Sequence, residues 1–341
     1  MKKIAIVSEV MNLRPSEGIR KFCAELSDAI RKLENVKVYQ IGIANGIDSS
    51  SKKICFRSRI LFPIVCKKNI KRIRPDILIY IPSSPKIISN VLKFWYWKGE
   101  VRRPIIIFLQ PPIGPIPIAE YILRNCEIFI QFDPNILHGR ILSKKAKFIP
   151  SGVNPEKFYP ASKNEKDKLR AKYNFKTDDK IVLSIGHLTK GRNFDLIIKL
   201  SREINAKFIV VSSTLFEELP EIRKNLIDAG VIVFDRYFED IREIYAISDC
   251  YLFPTISQQS AIGFPLSILE AMAMGIPVVS SRFGIIHRIL ESHKGIYFFD
   301  SQNEAKKHIE HILSNSFSPS QTSIDGFSWK DIASYLIGEI Q

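Results

Sequence analysis

Glu270 stands in the run GFPLSILEAMAMGIPVVSSRFG, residues 263–284. Gly263 opens a helical stretch there, and Gly275 and Pro277 close it ahead of the apolar VVSS. A helix N-terminus offers unpaired amide N–H groups and a positive dipole end, which suit phosphate or sugar oxygens. A carboxylate further along the same helix can accept paired hydrogen bonds from ribose hydroxyls. On spacing alone, a core helix with Glu270 as a solvated surface residue is an equally open reading. The second candidate is the loop Gly186-His187-Leu188-Thr189-Lys190-Gly191-Arg192-Asn193. It follows the strand KIVLSI and precedes a helix, and its two glycines and two cations suit a diphosphate. Arg192 would bring a planar fork and Lys190 a point charge. A solvated loop stays open for both cations, and His187 reads equally as a ligand or as a structural loop residue. The third candidate is Gly18, where the first strand turns into a helix and a phosphate or acceptor could approach the backbone. An ordinary helix start capped by Ser16 explains that glycine as well.

These residues need strands and helices to hold them. KIAIVSEV, VKVYQIGIA, DILIYIP, PIIIFLQ and EIFIQF are short, β-branched-rich runs in the first half. Between them lie amphipathic stretches such as EGIRKFCAELSDAIRKLE, where Ile19, Phe22, Leu26, Ile30 and Leu33 recur at helical spacing. Nearly continuous apolar strands imply burial on both faces, hence a mainly parallel sheet. KIVLSIG, AKFIVVSS, VIVFDR, CYLFPT and PVVSS repeat the scheme in the second half. Two tandem arrays of this kind predict an α/β protein of two Rossmann-like doubly wound domains. The proline-rich FIPSGVNPEKFYP and the charged stretch after it mark the junction. The expected boundaries are 1–155 for the first domain, 156–325 for the second, and 326–341 for a terminal amphipathic helix carrying Trp329 that packs back on the first domain.

The chain has 341 residues and a formal net charge of +15. Residues 1–150 hold 27 Lys and Arg against 11 Asp and Glu, whereas residues 151–341 hold 23 against 24. The excess charge therefore sits wholly in the first half. Residues 52–74 contain nine cations and no acid, with apolar runs between them, and KFWYWKGEVRRP sets aromatics beside cations. This interleaving suits an anionic bilayer surface. Single-stranded nucleic acid competes for the same features, and a solvated cationic face is the plainest alternative. The five cysteines are odd in number and never spaced as CxxC, which speaks against a disulfide framework or a zinc site. No run approaches the ~20 apolar residues of a spanning helix, and the start MKKIAIVSEV is too short in apolar residues for a secretory signal. The expected place is the cytoplasm, with peripheral attachment at the inner face of a membrane left open.

The GFPLSILEAMAMGIPVV stretch resembles the signature of glycosyltransferase family four, the retaining GT-B enzymes. FIPSGVNPEKFYP resembles the family's interdomain segment. KIVLSIGHLTKGRNFDLIIKL resembles its phosphate-binding strand, loop and helix, and RYFEDIREIYAISDCYLFPT the segment before the signature loop. The four blocks run in order from residue 148 to residue 284. The resemblance implies that Glu270, the second of two family glutamates, binds the nucleotide ribose. It implies that Arg192, with Lys190 and His187, meets the diphosphate, and that Gly263, Phe264, Pro265 and Leu266 offer backbone amides to the donor. Of the two adjacent glycines common after the first strand, only Gly18 carries over. Two positions depart from the pattern. Ile262 stands where the first glutamate is expected, and Gln110 in FLQPPIGP stands where a cleft histidine is common. Gln can position a group but cannot exchange a proton near neutral pH.

The reading is thus a GT-B glycosyltransferase, hexosyltransferase in type and metal-independent, since no Asp-x-Asp motif occurs. Arg192, Lys190 and Gln110 would serve catalysis. Glu270, Gly263, Phe264, Pro265, Leu266, Gly186, His187 and Gly18 would hold the donor. No cofactor and no metal site are expected. The donor would be a nucleoside diphosphate sugar, UDP- or GDP-linked, and the acceptor a glycan precursor or a lipid-linked group. An anionic membrane surface is a further partner left open, and no nucleic acid is expected. Two other functions stay in view: a GT-B protein that binds without turnover, motivated by Ile262 and Gln110, and a nucleic-acid-binding protein, motivated by the cationic half.

Overall fold

The computed structural model describes residues 1–11, 18–43, 53–56, 60–138, 142–212, 219–315 and 324–338, with the backbone alone at 53–56. Ser16 and Glu17 lie outside the described residues. The chain divides into two compact units. The first takes in Met1–Gly152, Ile262–Phe264 and Trp329–Gln341; the second takes in Val153–Ala261 and Pro265–Ser328. The three residues Ile262–Phe264 sit far along the chain yet pack within the first unit, which no boundary drawn along the sequence can express.

The first unit is built on seven parallel strands: β1 (Lys2–Ser8), β2 (Val36–Ile43), β3 (Lys53–Phe56), β4 (Ile77–Tyr80), β5 (Arg103–Phe108), β6 (Glu127–Ile130) and β7 (Lys147–Phe148). Their order is β3-β2-β1-β4-β5-β6-β7. β4 is buried along its whole length, and β1 and β5 are buried after their first two residues, as both-face coverage requires. Its helices are α1 (Gly18–Arg31), α2 (Phe62–Ile73), α3 (Ile87–Lys98), α4 (Ile116–Leu123) and the short α5 (Leu142–Lys145). In α1, Phe22, Leu26 and Ile30 are fully buried, the stripe expected from their spacing. The helices α2, α3 and α4 share one core with Leu78, Tyr80 and Ile106 of the sheet.

The second unit has six parallel strands: β8 (Ile181–Ile185), β9 (Lys207–Val211), β10 (Ile232–Phe234), β11 (Cys250–Phe253), β12 (Val278–Ser281) and β13 (Ile296–Phe299). Their order is β10-β9-β8-β11-β12-β13. Its helices are α6 (Lys163–Lys172), α7 (Phe194–Glu203), α8 (Pro220–Asp228), α9 (Arg242–Ala246), α10 (Leu266–Ala273), α11 (Ile286–Leu290) and α12 (Gln302–Ser314). The two faces of β11 show the alternation directly. Cys250 and Leu252 join the core beneath α7 and α12, while Tyr251 lies near Glu270 of α10. Both units are therefore Rossmann-like α/β domains, the pair that defines the GT-B fold class.

The terminal helix α13 (Trp329–Ile337) packs on α1. Trp329 meets Phe22 edge-on at 5.3 Å, and Tyr335 meets Phe129 at 5.9 Å. Four of the five cysteines, Cys23, Cys66, Cys126 and Cys250, are free and buried.

Candidate functional site

In a doubly wound sheet, ligands bind beyond the carboxyl ends of the strands where the strand order reverses. In the second unit that point lies between β8 and β11. The loop leaving β8 is Gly186–Asn193, and the segment leaving β11 begins with Pro254 and Thr255. The two are stitched together. The carbonyl of Gly191 accepts from the amides of Ile256 at 3.1 Å and Ser257 at 3.2 Å, and Arg192 Nη1 donates weakly to Thr255 Oγ1 at 3.5 Å. Thr255 is in turn fixed to β12, its carbonyl accepting from Ser281 Oγ at 2.5 Å.

Arg192 ends a short 3-10 turn, Lys190–Arg192, and folds back over Gly186. A Cβ at 186 would stand 2.8 Å from Arg192 Nη1 and 2.9 Å from its Cζ. Glycine at 186 is thus the condition for the guanidinium to lie there. The guanidinium also sits 5.9 Å from the Phe253 ring. Among the described residues no carboxylate pairs with it, and its Nε has no hydrogen-bond partner. Burial pushes its pKa down to about 10, so it remains a cation at neutral pH. A desolvated cation without a counter-charge is costly to keep, and an anionic ligand would offset that cost. Lys190 is exposed on the same loop, and His187 is half-buried in it.

Glu270 is buried at 4% exposure, which removes the solvated-surface reading. Its Oε2 accepts from the Tyr245 hydroxyl at 3.0 Å. Tyr251, fully buried on β11, lies in the field of both this carboxylate and Arg192. Burial raises its phenol pKa most; Ser267 and the Arg192 cation pull it down, and Glu270 pushes it up. Burial first, then Glu270 and Tyr251, also raises Tyr245. The structure therefore brings Arg192 and Glu270, which are far apart in sequence, around one buried tyrosine. Helix α10 opens at Leu266 behind Pro265, with no side-chain cap on its first turn. That turn keeps donors for an anion.

The equivalent point of the first unit lies between β1 and β4. Glu9 follows β1, and its Oε1 accepts from Tyr80 Oη at 2.6 Å and from Lys93 Nζ at 2.7 Å. Its Oε2 accepts from the amide of Ser83 at 3.3 Å. Gln110, half-buried, follows β5. Gly18 begins α1 on this unit, and Ile262 lies against it, its Cγ2 3.3 Å from the place a Cβ would take. Among the described residues, no group of three or more His, Cys, Asp or Glu side chains is placed to hold a metal ion.

Residues 165–326 match the family of glycosyl transferases group 1. Over that stretch, just under half of its length, the chain is similar to this family. It is 26% identical over 230 residues to the alpha-galactosylglucosyldiacylglycerol synthase of Streptococcus pneumoniae, a match covering 63% of this chain and 56% of that one. It is 25% identical over 299 residues to the O-antigen biosynthesis glycosyltransferase WclY of Escherichia coli, covering 84% and 77%. The chain spans about half the length of the first curated relatives it matches. Among solved structures, Anabaena Alr3699/HepE in complex with UDP-glucose covers 100% of each chain at 15% identity, with a TM-score of 0.75. This last likeness speaks for the fold.

Two of the amides expected to meet the donor have partners within the chain, and a third residue has no amide N–H. The amide of Gly263 donates to Leu109 O at 2.6 Å, so it is already used within the first unit. The amide of Phe264 reaches Gln131 Oε1 at 3.4 Å, and the Phe264 carbonyl accepts from Ser151 Oγ at 2.6 Å. Pro265 has no N–H to give. Glycine at 263 is required by close approach, because a Cβ there would fall 2.1 Å from the Gln131 carbonyl oxygen. The helix expected to open at Gly263 begins at Leu266 instead, which places the Leu266 amide on its first turn. The reading of the group 1 signature missed Tyr245, Tyr251, Thr255 and Gln131. A signal existed for two of them: Thr255 and Gln131 are polar residues just after the ends of buried strands. Nothing in the sequence marked the two tyrosines, which read as ordinary core aromatics.

Proposed function

We propose that the chain transfers a sugar from a nucleoside diphosphate sugar, UDP- or GDP-linked, to a glycan or lipid-linked acceptor. Retention of anomeric configuration and independence from metal ions belong to the same proposal. The observation that carries it is the Arg192 guanidinium, desolvated and unpaired among the described residues at the switch point of a group 1 domain. Arg192, aided by Lys190, meets the diphosphate and stabilises the charge that develops as it departs. Glu270 takes the ribose hydroxyls, held in place by Tyr245. The first turn of α10 at Leu266 faces ligand oxygens, and Gln110 positions the acceptor. A relative named for a diacylglycerol glycolipid and one named for O-antigen biosynthesis support the acceptor class. The net +16 of residues 1–150 supports action at an anionic membrane surface, on its cytoplasmic side.

The test is a melting curve with millimolar UDP, GDP or ADP, followed by a panel of labelled sugar nucleotides with lipid extract. A ligand at a hundredfold its Kd stabilises by about 2.7 kcal/mol, so at least one nucleotide should raise the Tm by several degrees. No response to any of the three would overturn the donor assignment. Turnover that stops on adding EDTA would remove the metal-independent part. Ile262 favours a second reading, binding without turnover. It is 5% exposed and packed against Gly18, so an aliphatic contact stands where a carboxylate was expected. Nucleotide binding with no product from any donor would select that reading.

A further inference from the structure

We infer that the face formed by α2, α3 and α4 of the first unit docks on an anionic lipid bilayer. Large apolar side chains are exposed together there. They include Ile60 and Ile64 at α2, Trp95 and Tyr96 on α3, and Ile118 and Tyr121 on α4. Trp95 is 58% exposed and Tyr121 69%. The three helices adjoin one another through their own contacts. Trp97 Nε1 donates to the Pro63 carbonyl at 2.9 Å, joining α3 to α2, and Lys98 Nζ donates to the Ile122 carbonyl at 2.6 Å, joining α3 to α4. Elsewhere in the described residues exposed apolar side chains are scattered, and single ones need no explanation.

Helix geometry puts these side chains on common stripes. Leu92, Trp95 and Tyr96 share one face of α3, opposite the buried Val91, Phe94 and Trp97. On α2, Ile64 is followed on the same stripe by Lys68, Lys71 and Arg72. Lys67 Nζ lies 3.9 Å from the Tyr96 ring centroid, and the Arg124 guanidinium 4.7 Å from that of Tyr121. Residues 60–124 hold eleven Lys and Arg against three Asp and Glu. One of the three acids, Glu100, is already bridged by Lys67 and Lys71.

This combination selects the partner. Aliphatic side chains with amphipathic Trp and Tyr, ringed by cations, match the headgroup boundary of an anionic bilayer. A protein interface would be depleted in lysine. Single-stranded nucleic acid would use the aromatics but gain little from Ile60, Ile64 and Ile118, since bases stack on rings.

The chain provides its own probe. Of its three tryptophans, Trp97 and Trp329 are buried, and Trp95 is the exposed one. Phosphatidylglycerol–phosphatidylcholine vesicles should shift the emission of the full chain to the blue, and brominated acyl chains should quench it. Trp95→Ser with Tyr121→Ser should lower the partition coefficient on the same vesicles by roughly tenfold or more, as expected for two aromatic side chains left in water. Pure phosphatidylcholine should bind far less. Nucleotide-induced stabilisation of the variant reads the second unit separately, so loss of that response would count against the donor site alone. Cosedimentation without bromolipid quenching would overturn the inference. So would unchanged vesicle binding by a folded double variant, oligonucleotide binding that vesicles do not displace, or a vesicle-independent dimer abolished by the same substitutions.

Discussion

The two units share one topology and place opposite arrangements at its reversal point. In the first, Glu9 beyond β1 is saturated, with Tyr80, Lys93 and the Ser83 amide all donating to its carboxylate. In the second, Arg192 beyond β8 has a weak hydroxyl contact and no carboxylate partner among the described residues. A satisfied buried charge rigidifies the loops it joins, and removing one partner exposes the whole desolvation cost. An unsatisfied one carries that cost in the resting protein and recovers it when an anion arrives. The same contrast recurs among the cations of the second unit. In unit two the buried cations Arg170 and Arg242 are paired, with Asp249 at 2.7 Å and with Glu165, whereas the half-buried Arg192 has no carboxylate partner among the described residues.

Substituting the two cations breaks the comparison most sharply. Arg192→Met should weaken binding of the stabilising nucleotide by about a hundredfold, roughly 2.7 kcal/mol, while leaving the unliganded protein as stable as before or more so. Calorimetric titration and melting curves on one preparation measure both. Loss of stability without loss of affinity would make Arg192 a structural residue. Lys93→Met should do the reverse: destabilise by roughly 2–3 kcal/mol, because Glu9 is left buried with one donor fewer, and leave nucleotide affinity unchanged. Stability unaltered by that change would mean the Glu9 site is wet enough to need no partner.

The glycines extend the contrast with a smaller effect. A Cβ at 263 would meet backbone, the Gln131 carbonyl at 2.1 Å, whereas one at 186 would meet the far end of Arg192. Gly263→Ala should cost roughly 2 kcal/mol of stability, the usual order for overpacking. Gly186→Ala should cost little stability, since a side chain can swing away, but should weaken nucleotide binding by displacing the guanidinium. Denaturant titration separates the two, and equal losses of stability would show that Arg192 cannot yield.

How far the sequence revealed this follows from the range of each signal. Strand runs such as KIVLSI and ILIY were legible because burial on both faces leaves a continuous apolar stretch. The α1 stripe was legible because Phe22, Leu26 and Ile30 are spaced at helical period. The loop around Arg192 was legible as a candidate, since glycines and cations between a strand and a helix are local facts. The pairing of Glu270 with Tyr245 was not, because it joins α10 to α9, and a Tyr inside REIYAI carries no mark of its partner. The fate of the Gly263 and Phe264 amides was equally hidden, since their acceptors come from Leu109 and Gln131 on other strands' ends. Sequence periodicity fixes which face a residue turns to, and tertiary contacts decide what it meets there.

The smallest effect tests the division of labour inside the second unit. Tyr245→Phe removes the hydroxyl that donates to Glu270 Oε2 and leaves the ring that packs edge-on to Phe158 at 5.9 Å. The lost hydrogen bond should cost about 1 kcal/mol. If Glu270 receives ribose hydroxyls, loosening its carboxylate should weaken UDP or GDP severalfold while leaving inorganic pyrophosphate, which has no ribose for Glu270 to hold, unchanged. Competition of pyrophosphate against the labelled nucleotide gives both affinities in one assay. Equal weakening of the two ligands would mean that Glu270 and Tyr245 brace the site as a whole, and the ribose contact would then have to come from another residue near α10.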